Sequence, residues 1–289
     1  MSTKMLQDIF RPIEAELAMM EHELSKIVNS FGDDLINDEF RHPFYIKGKR
    51  LRPALMMLSA RTVNAGLLDV TINSLISLAA ALELIHNASL VHDDVIDEDV
   101  VRRGKPTINS LYGNKIAVLV GDALNARAFQ MIARLGRLEF LHSALDLIEK
   151  MSIGEILQIE NSIDPQENIY LKVIEAKTAL FVELSCGFGA MMAGGTEEEI
   201  RRMKAFGLNL GMAYQIIDDL IDGDPQARRF VTFNDAVEFA DISRKALAGS
   251  KDSLSKDSLL EFINLVLTYP DEHQTINRIC SSVKSDGAD

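Results

Sequence analysis

The run His92-Asp93-Asp94-Val95-Ile96-Asp97-Glu98-Asp99 sets carboxylates at steps of three and four, and Arg102, Arg103 and Lys105 follow almost at once. On a helix, Asp93, Asp94 and Asp97 share one face and repel one another unless a cation sits over them. Carboxylate oxygens suit Mg²⁺, a hard ion that keeps several waters and often takes its remaining ligands from a substrate phosphate. The nearby guanidinium and ammonium groups offer paired donors and a point charge to the oxygens left over. Alone, the stretch reads equally as a solvated acidic helix end followed by a basic turn. A second cluster of the same spacing, Asp218-Asp219-Leu220-Ile221-Asp222, again closes an apolar helical run and tips the reading toward metal-phosphate chemistry.

Other residues suit that chemistry. Lys47-Gly48-Lys49-Arg50-Leu51-Arg52-Pro53 concentrates cations before an apolar run. It is a solvated helix start or an anion site, and the helix dipole disfavours unbalanced cations there. His86 projects about two turns before the carboxylates, on their side, as a satisfied core histidine or a substrate contact. Lys177, in the apolar setting Ile174-Glu175-Ala176-Lys177-Thr178-Ala179, either meets an anion or snorkels to the surface. Gln215 precedes Asp218 and Asp219 by one turn, so its amide shares their pocket. Asp122 sits among apolar residues and reads as hydrogen-bonded structure. Glu83-Leu84-Ile85-His86 and Glu139-Phe140-Leu141-His142 have the Glu-x-x-His form of di-iron helical bundles. Glu139, however, follows closely on Gly136 at a helix start, and that reading leaves both aspartate clusters unexplained.

Helices must hold these groups. Only seven prolines occur, and none interrupts 54–105, 107–164 or 166–224. With Ala, Leu, Ile and Met dominating and no Trp, an all-α chain is expected. Periodicity predicts a helix over 5–30, with the stripe Leu6, Ile9, Ile13, Leu17, Met20, Leu24 and Ile27. The segment from Phe31 to Pro43 is polar and broken, and another helix runs from Pro53 to Ala65. A long helix over 71–99 sets Leu75, Leu78, Leu82, Ile85, Ser89 and Ile96 near one stripe, and one over 114–135 has Val118, Leu119, Leu124, Phe129 and Ile132 among its buried positions. Helices over 139–160, 166–193, 197–222, 234–247 and 255–267 complete the set, and the last dozen residues look frayed.

At 289 residues without a linker, the chain reads as a single domain, 1–289, with a substantial core. A net charge of -13 argues against nucleic acid as a partner. Cys186 and Cys280 lack metal-site spacing and suggest buried thiols in a reducing compartment. The N-terminus lacks the apolar core of a signal peptide, and no run of about 18 uncharged apolar residues suggests a transmembrane segment. A soluble cytoplasmic protein is expected.

From Gly48 to Asp222 the chain resembles the trans-polyprenyl diphosphate synthases, the family of farnesyl and geranylgeranyl diphosphate synthases. The resemblance rests on Gly48-Lys49-Arg50-Leu51-Arg52-Pro53, the run Leu84 to Asp94, Arg102 to Thr107, Gly121-Asp122, Ala176-Lys177-Thr178-Ala179 and Gln215 to Asp219. One aspartate motif is shared with terpene cyclases; two, with the basic motifs interleaved in order, are specific.

The resemblance implies a bundle of about ten helices around a central cavity, as a homodimer, with the aspartate motifs facing each other at its mouth. It implies head-to-tail condensation of isopentenyl diphosphate with an allylic diphosphate to an all-trans polyprenyl diphosphate. Mg²⁺, about three ions with bound diphosphate, is the implied cofactor, held by Asp93, Asp94, Asp97, Asp218, Asp219 and Asp222. Arg102, Lys177, Thr178 and Gln215 match the allylic diphosphate contacts; Lys49, Arg52, His86 and Arg103 match those of isopentenyl diphosphate. Chain length would be set by Ala88 and Ser89, with Ile85 and Leu82 deeper on the same helix. Ala88 and Ser89 are small, which argues against a C10 or C15 product and for C20 or longer.

The resemblance weakens after Asp222. There the family carries a flap with Gly-Lys and a further Asp, and a few dozen of those residues have no counterpart here; Arg228 or Arg229 would replace the flap lysine. Two alternatives share the aspartates: a non-catalytic partner subunit of a heteromeric synthase, and a terpene cyclase, which has less use for Lys49, Arg52 and His86.

Overall fold

Pro12 has no amide proton and disfavours helical geometry at the residue before it, so the expected helix over 5–30 cannot run unbroken. The structure, a computed structural model, describes residues 3–31, 37–44, 48–162 and 164–268. It begins with α1 (Thr3–Phe10), a 3₁₀ turn at Arg11–Ile13 and α2 (Glu14–Val28). Then come α3 (Asn37–Arg41), α4 (Leu51–Val63), α5 (Asp69–Ile96), strands β1 (Val101–Arg102) and β2 (Lys105–Pro106), α6 (Ile108–Tyr112), α7 (Asn114–Arg134) and α8 (Leu138–Asn161). The rest comprises α9 (Glu167–Ile174), a π-helical turn at Glu175–Ala179, α10 (Leu180–Met192), α11 (Glu197–Asp222), α12 (Pro225–Phe230), α13 (Phe233–Leu247) and α14 (254–268). The all-α expectation therefore holds, with three departures: the helix expected over 5–30 breaks at Arg11–Ile13, the π turn interrupts the helix expected over 166–193, and a short hairpin follows α5. Its strands pair Val101 with Pro106 and Arg102 with Lys105, and both turn residues, Arg103 (φ 51) and Gly104 (φ 77), are left-handed, as a tight hairpin requires. Lys47, Cys280 and the C-terminal residues expected to fray lie outside the described residues.

Contacts cluster into two compact units. One comprises Ile13–Met57 and Gly66–Ala144 and is called the α5–α7 unit; the other comprises the described parts of Met1–Pro12, Leu58–Ala65 and Leu145–Asp289 and is called the α10–α11 unit.

In the α5–α7 unit, α5 buries Leu75, Leu78, Leu82, Leu84, Ile85 and Ala88. Each large aliphatic side chain so buried contributes about 1.5–3 kcal/mol. Helix α7 corrects the expected stripe: Val118 and Leu119 are 41% and 62% exposed, while Ala117, Val120, Gly121, Leu124, Ala128 and Ile132 are buried. Size decides the face, because α7 is apolar on more than one side and its small residues admit α5. A Cβ on Gly121 would lie 2.2 Å from the ring of His92 on α5. The end of the α5 stripe also departs, with Ile96 exposed.

In the α10–α11 unit, α11 starts from a capping box, Thr196 with Glu199, and packs on α10 and α13. Phe181, Phe188, Phe206 and Phe262 are fully buried, and the Ser243 hydroxyl donates to the carbonyl of Phe206 at 2.8 Å.

By length and composition alone, α5 and α7 are long and apolar enough to cross a membrane, a test that the core helix of a soluble protein also passes. The apolar window of α5 is 72% buried, as a core helix requires; that of α7 is 39% buried.

Candidate active site

The C-terminal turns of α5 line a pocket with Glu83, His86, Asn87, Leu90, Val91 and Asp94. Gly48, Arg50, Arg102, Arg103 and Thr107 close it from the preceding loop and the hairpin. Arg50, left-handed at φ 52, turns its guanidinium inward to Glu83 and, at 2.5 Å, to Glu21. The Glu83 side chain is only 4% exposed and that of Arg50 10%, so this is a desolvated ion pair. Asn87 braces it by donating to the carbonyl of Glu83 at 2.7 Å.

His86 faces cations. Its Nε2 lies 3.3 Å from Arg52 Nη1, and because a guanidinium only donates, Nε2 accepts and the proton stays on Nδ1. Burial, then the charges of Arg52, Arg103, Arg50 and Arg102, hold its pKa well below the ordinary histidine value. It is a neutral group in a cationic pocket.

Asp94 is buried and bonded to Arg102 Nε; Arg102 also reaches Asp99 at 3.5 Å. Burial raises the pKa of Asp94 in spite of Arg102. The turn that carries Arg102 is pinned by Asn109, which donates to the carbonyls of Asp94 and Asp99 at 3.0 and 2.9 Å, and by Thr107, which donates to Asp99 at 2.7 Å. Asp93 is half-buried, and Asp97, at the helix end, is exposed. Lys49 is exposed and is not part of the pocket lining. Leu82, Ile85 and Ala88 are buried, whereas Ser89 is half-buried and donates to the carbonyl of His86 at 2.9 Å. Asp122 is not in an apolar setting: its side chain is 64% exposed, with Oδ1 3.6 Å from His92 Nε2.

The α10–α11 unit assembles the second group. Gly211 lets the π turn approach α11 closely, since a Cβ there would lie 2.6 Å from Ala179 Cα. The π turn carries Lys177 and Thr178. Lys177 meets an anion, as one reading of the sequence required: it pairs with Glu155 and donates to Gln158 at 2.9 Å. Thr178 Oγ1 donates to Gln215 Oε1 at 2.7 Å, and Gln215 Nε2 donates to Asp219 Oδ1 at 2.6 Å. Tyr170 OH donates to Asp219 Oδ2 at 2.8 Å. Burial pushes the Asp219 carboxyl up to about 6 against these two bonds, with Asp224 and Asp218 adding to the rise. Burial, then Asp219, also raises the Tyr170 phenol. Asp218 is half-buried and Asp222 exposed at the helix end. Beyond it, Asp224 caps α12 by accepting from the amides of Gln226 and Ala227, each at 2.8 Å. Arg228 packs over Gly223, and Arg229 lies over the ring of Phe230 at 5.0 Å.

Sequence reasoning placed Lys177, Thr178, Gln215 and Asp219 without their geometry and missed Tyr170, Glu155, Gln158 and the Arg50–Glu83 pair. Tyr170 stands seven residues before Lys177, a spacing that in a regular helix puts it on the same side about two turns away. Pairing of Glu83 with Arg50, and exposure of Glu139 and His142, remove the di-iron alternative.

Among the described residues, no three His, Cys, Asp or Glu side chains converge to hold a metal by themselves. The donors nevertheless fit Mg²⁺: they are carboxylate oxygens, and burial makes the charge on Asp94 and Asp219 costly without a cation.

Comparison with known proteins gives the family. A family model described as polyprenyl synthetase matches residues 33–230. The octaprenyl diphosphate synthase of Escherichia coli is 42% identical over 177 residues, 61% of this chain and 53% of that protein. Component 2 of the Bacillus subtilis heptaprenyl diphosphate synthase is 38% identical over 209 residues, 72% of this chain and 58% of that protein. The chain thus spans little more than half the length of these relatives. A crystal structure of a decaprenyl diphosphate synthase from Rhodobacter capsulatus superposes with a TM-score of 0.80 at 27% identity, covering 91% of this chain and 99% of that one. With the all-α isoprenoid-synthase fold and the family match together, the chain belongs to the polyprenyl synthetase family.

Proposed function

We propose that the chain is a trans-prenyltransferase that condenses isopentenyl diphosphate with an allylic diphosphate. The observation that carries the reading is the pocket between α5 and the hairpin, where Arg102, Arg103 and the neutral His86 stand together with Asp94. Such a site offers several donors to a diphosphate and a carboxylate to its cation. Lys49, Arg52, His86 and Arg103 are assigned to isopentenyl diphosphate. Arg102, and in the α10–α11 unit Lys177, Thr178 and Gln215, are assigned to the allylic diphosphate. Asp93, Asp94 and Asp97, with Asp218, Asp219 and Asp222, would hold Mg²⁺, which when bound offsets the charge growing on the departing diphosphate. The arginines and Lys177 orient the two substrates, and the apolar side chains of Leu90 and Val91 in the pocket lining help to keep water from the reacting carbon.

Small side chains at 88 and 89 leave room for a product longer than C20, in keeping with the octaprenyl, heptaprenyl and decaprenyl names of the relatives. A homodimer in the cytoplasm is part of the proposal. The similarity to a protein called component 2 favours a second arrangement, in which activity needs a partner subunit.

Asp93→Ala and Asp218→Ala test the reading. Both should abolish turnover with little loss of folding, because the clustered carboxylates repel one another without metal. Retained turnover would refute the assignment, and a large loss of stability would make these residues structural.

A further inference from the structure

The carboxylate of Asp219 is held at both oxygens by neutral donors, Gln215 at 2.6 Å and Tyr170 at 2.8 Å. Two hydrogen bonds from different elements, α11 itself and α9, fix both the rotamer and the plane of the carboxylate. Gln215 is one turn away on the same helix and is in turn oriented by Thr178 at 2.7 Å. Tyr170 is the donor from outside the helix. Its ring is buried and meets Phe230 of α12, with centroids 6.5 Å apart. Helix α12 is tied down by Asp224 at its start and by a bond from Asn161 to Gln226 at 2.8 Å. The chain that leaves Asp222 therefore folds back at once to brace the residue that holds Asp219.

We propose that Tyr170 is a positioning residue for the second aspartate cluster: its hydroxyl orients Asp219 so that the cluster can take a divalent cation together with a diphosphate. The inference rests on the metal-diphosphate reading of that cluster. Hydrogen-bond partners behind a metal ligand set its orientation, and losing one costs about 10- to 100-fold in metal affinity or activity. A role confined to packing would reside in the ring, which phenylalanine keeps.

The test compares Tyr170→Phe with wild type by calorimetric titration of Mn²⁺ in the presence of inorganic diphosphate, with steady-state kinetics alongside. The expected result is Mn²⁺ affinity weakened about 10- to 100-fold, with KM raised for the allylic diphosphate and not for isopentenyl diphosphate. Wild-type binding with unchanged affinity in Tyr170→Phe would overturn the inference and leave the site reading standing. Equal rises in both KM values without a change in Mn²⁺ affinity would reduce Tyr170 to a structural residue and overturn it too. If wild type itself binds neither Mn²⁺ nor diphosphate, the site reading fails, and the inference with it.

Discussion

Replacing Arg50 by methionine removes a charge while keeping much of an apolar stem, so it probes the desolvated ion pair rather than packing. Glu83, with 4% of its side chain exposed, would lose the guanidinium, with Asn87 Nδ2 still 3.5 Å away; Glu21 is 28% exposed. Removing one partner of such a pair costs about 3–5 kcal/mol, most of it the charge left behind. For a chain of this size each kcal/mol moves the melting point by about 2–4 °C, so a fall on the order of 10 °C is expected. The double variant Arg50→Met/Glu83→Leu removes both charges and should recover a large part of that loss. The assay is thermal unfolding followed by circular dichroism at neutral pH, at one fixed protein concentration because association shifts the midpoint. A melting point for Arg50→Met within about 2 °C of wild type, or a double variant no better than the single, would refute the reasoning.

Three further outcomes follow from the same geometry. His86 has a folded pKa depressed below the ordinary histidine value of 6.5, so its stabilising contribution is present above that pH and is lost as pH falls. Wild type should therefore lose ground to His86→Gln in urea midpoint between pH 7 and pH 5, by at most about 1.4 kcal/mol per pH unit; a constant difference would sink the assignment. Asp219 has the opposite sign: its pKa is raised from 3.8 to about 6, so its contribution is present below 3.8 and is lost as pH rises through 6. In metal-free protein, Asp219→Asn should gain on wild type between pH 4 and pH 7, and a flat difference in melting point would contradict the burial argument. Finally, Ser89→Phe should shorten the product, because Ser89 is only half-buried and an aromatic ring there can reach growing chain; an unchanged product would end the argument from side-chain size. Fully buried Ala88 is the poorer site, since overpacking there costs about 1–3 kcal/mol.

The helices were legible because few prolines and a strong apolar period leave little choice, and α5, α8 and α11 begin and end within about three residues of their expected bounds. Faces were less legible where apolar residues surround a helix. On α7 the small residues Ala117, Gly121 and Ala128 decide which side packs, a matter of shape that hydropathy does not encode. The π turn that presents Lys177 and Thr178 and the left-handed Arg50 are backbone states with no sequence period of their own. The aspartates and arginines could be named from spacing. What spacing withheld was who touches whom: that His86 faces Arg52, that Arg102 is bonded to Asp94, and that Tyr170 holds Asp219.

The most direct test of the central claim is to incubate the protein with Mg²⁺, radiolabelled isopentenyl diphosphate and allylic diphosphates of increasing length, and to resolve the products by chain length. A discrete all-trans polyprenyl diphosphate longer than C20 is the predicted result. No product from any primer, with diphosphate binding retained, would contradict a self-sufficient transferase.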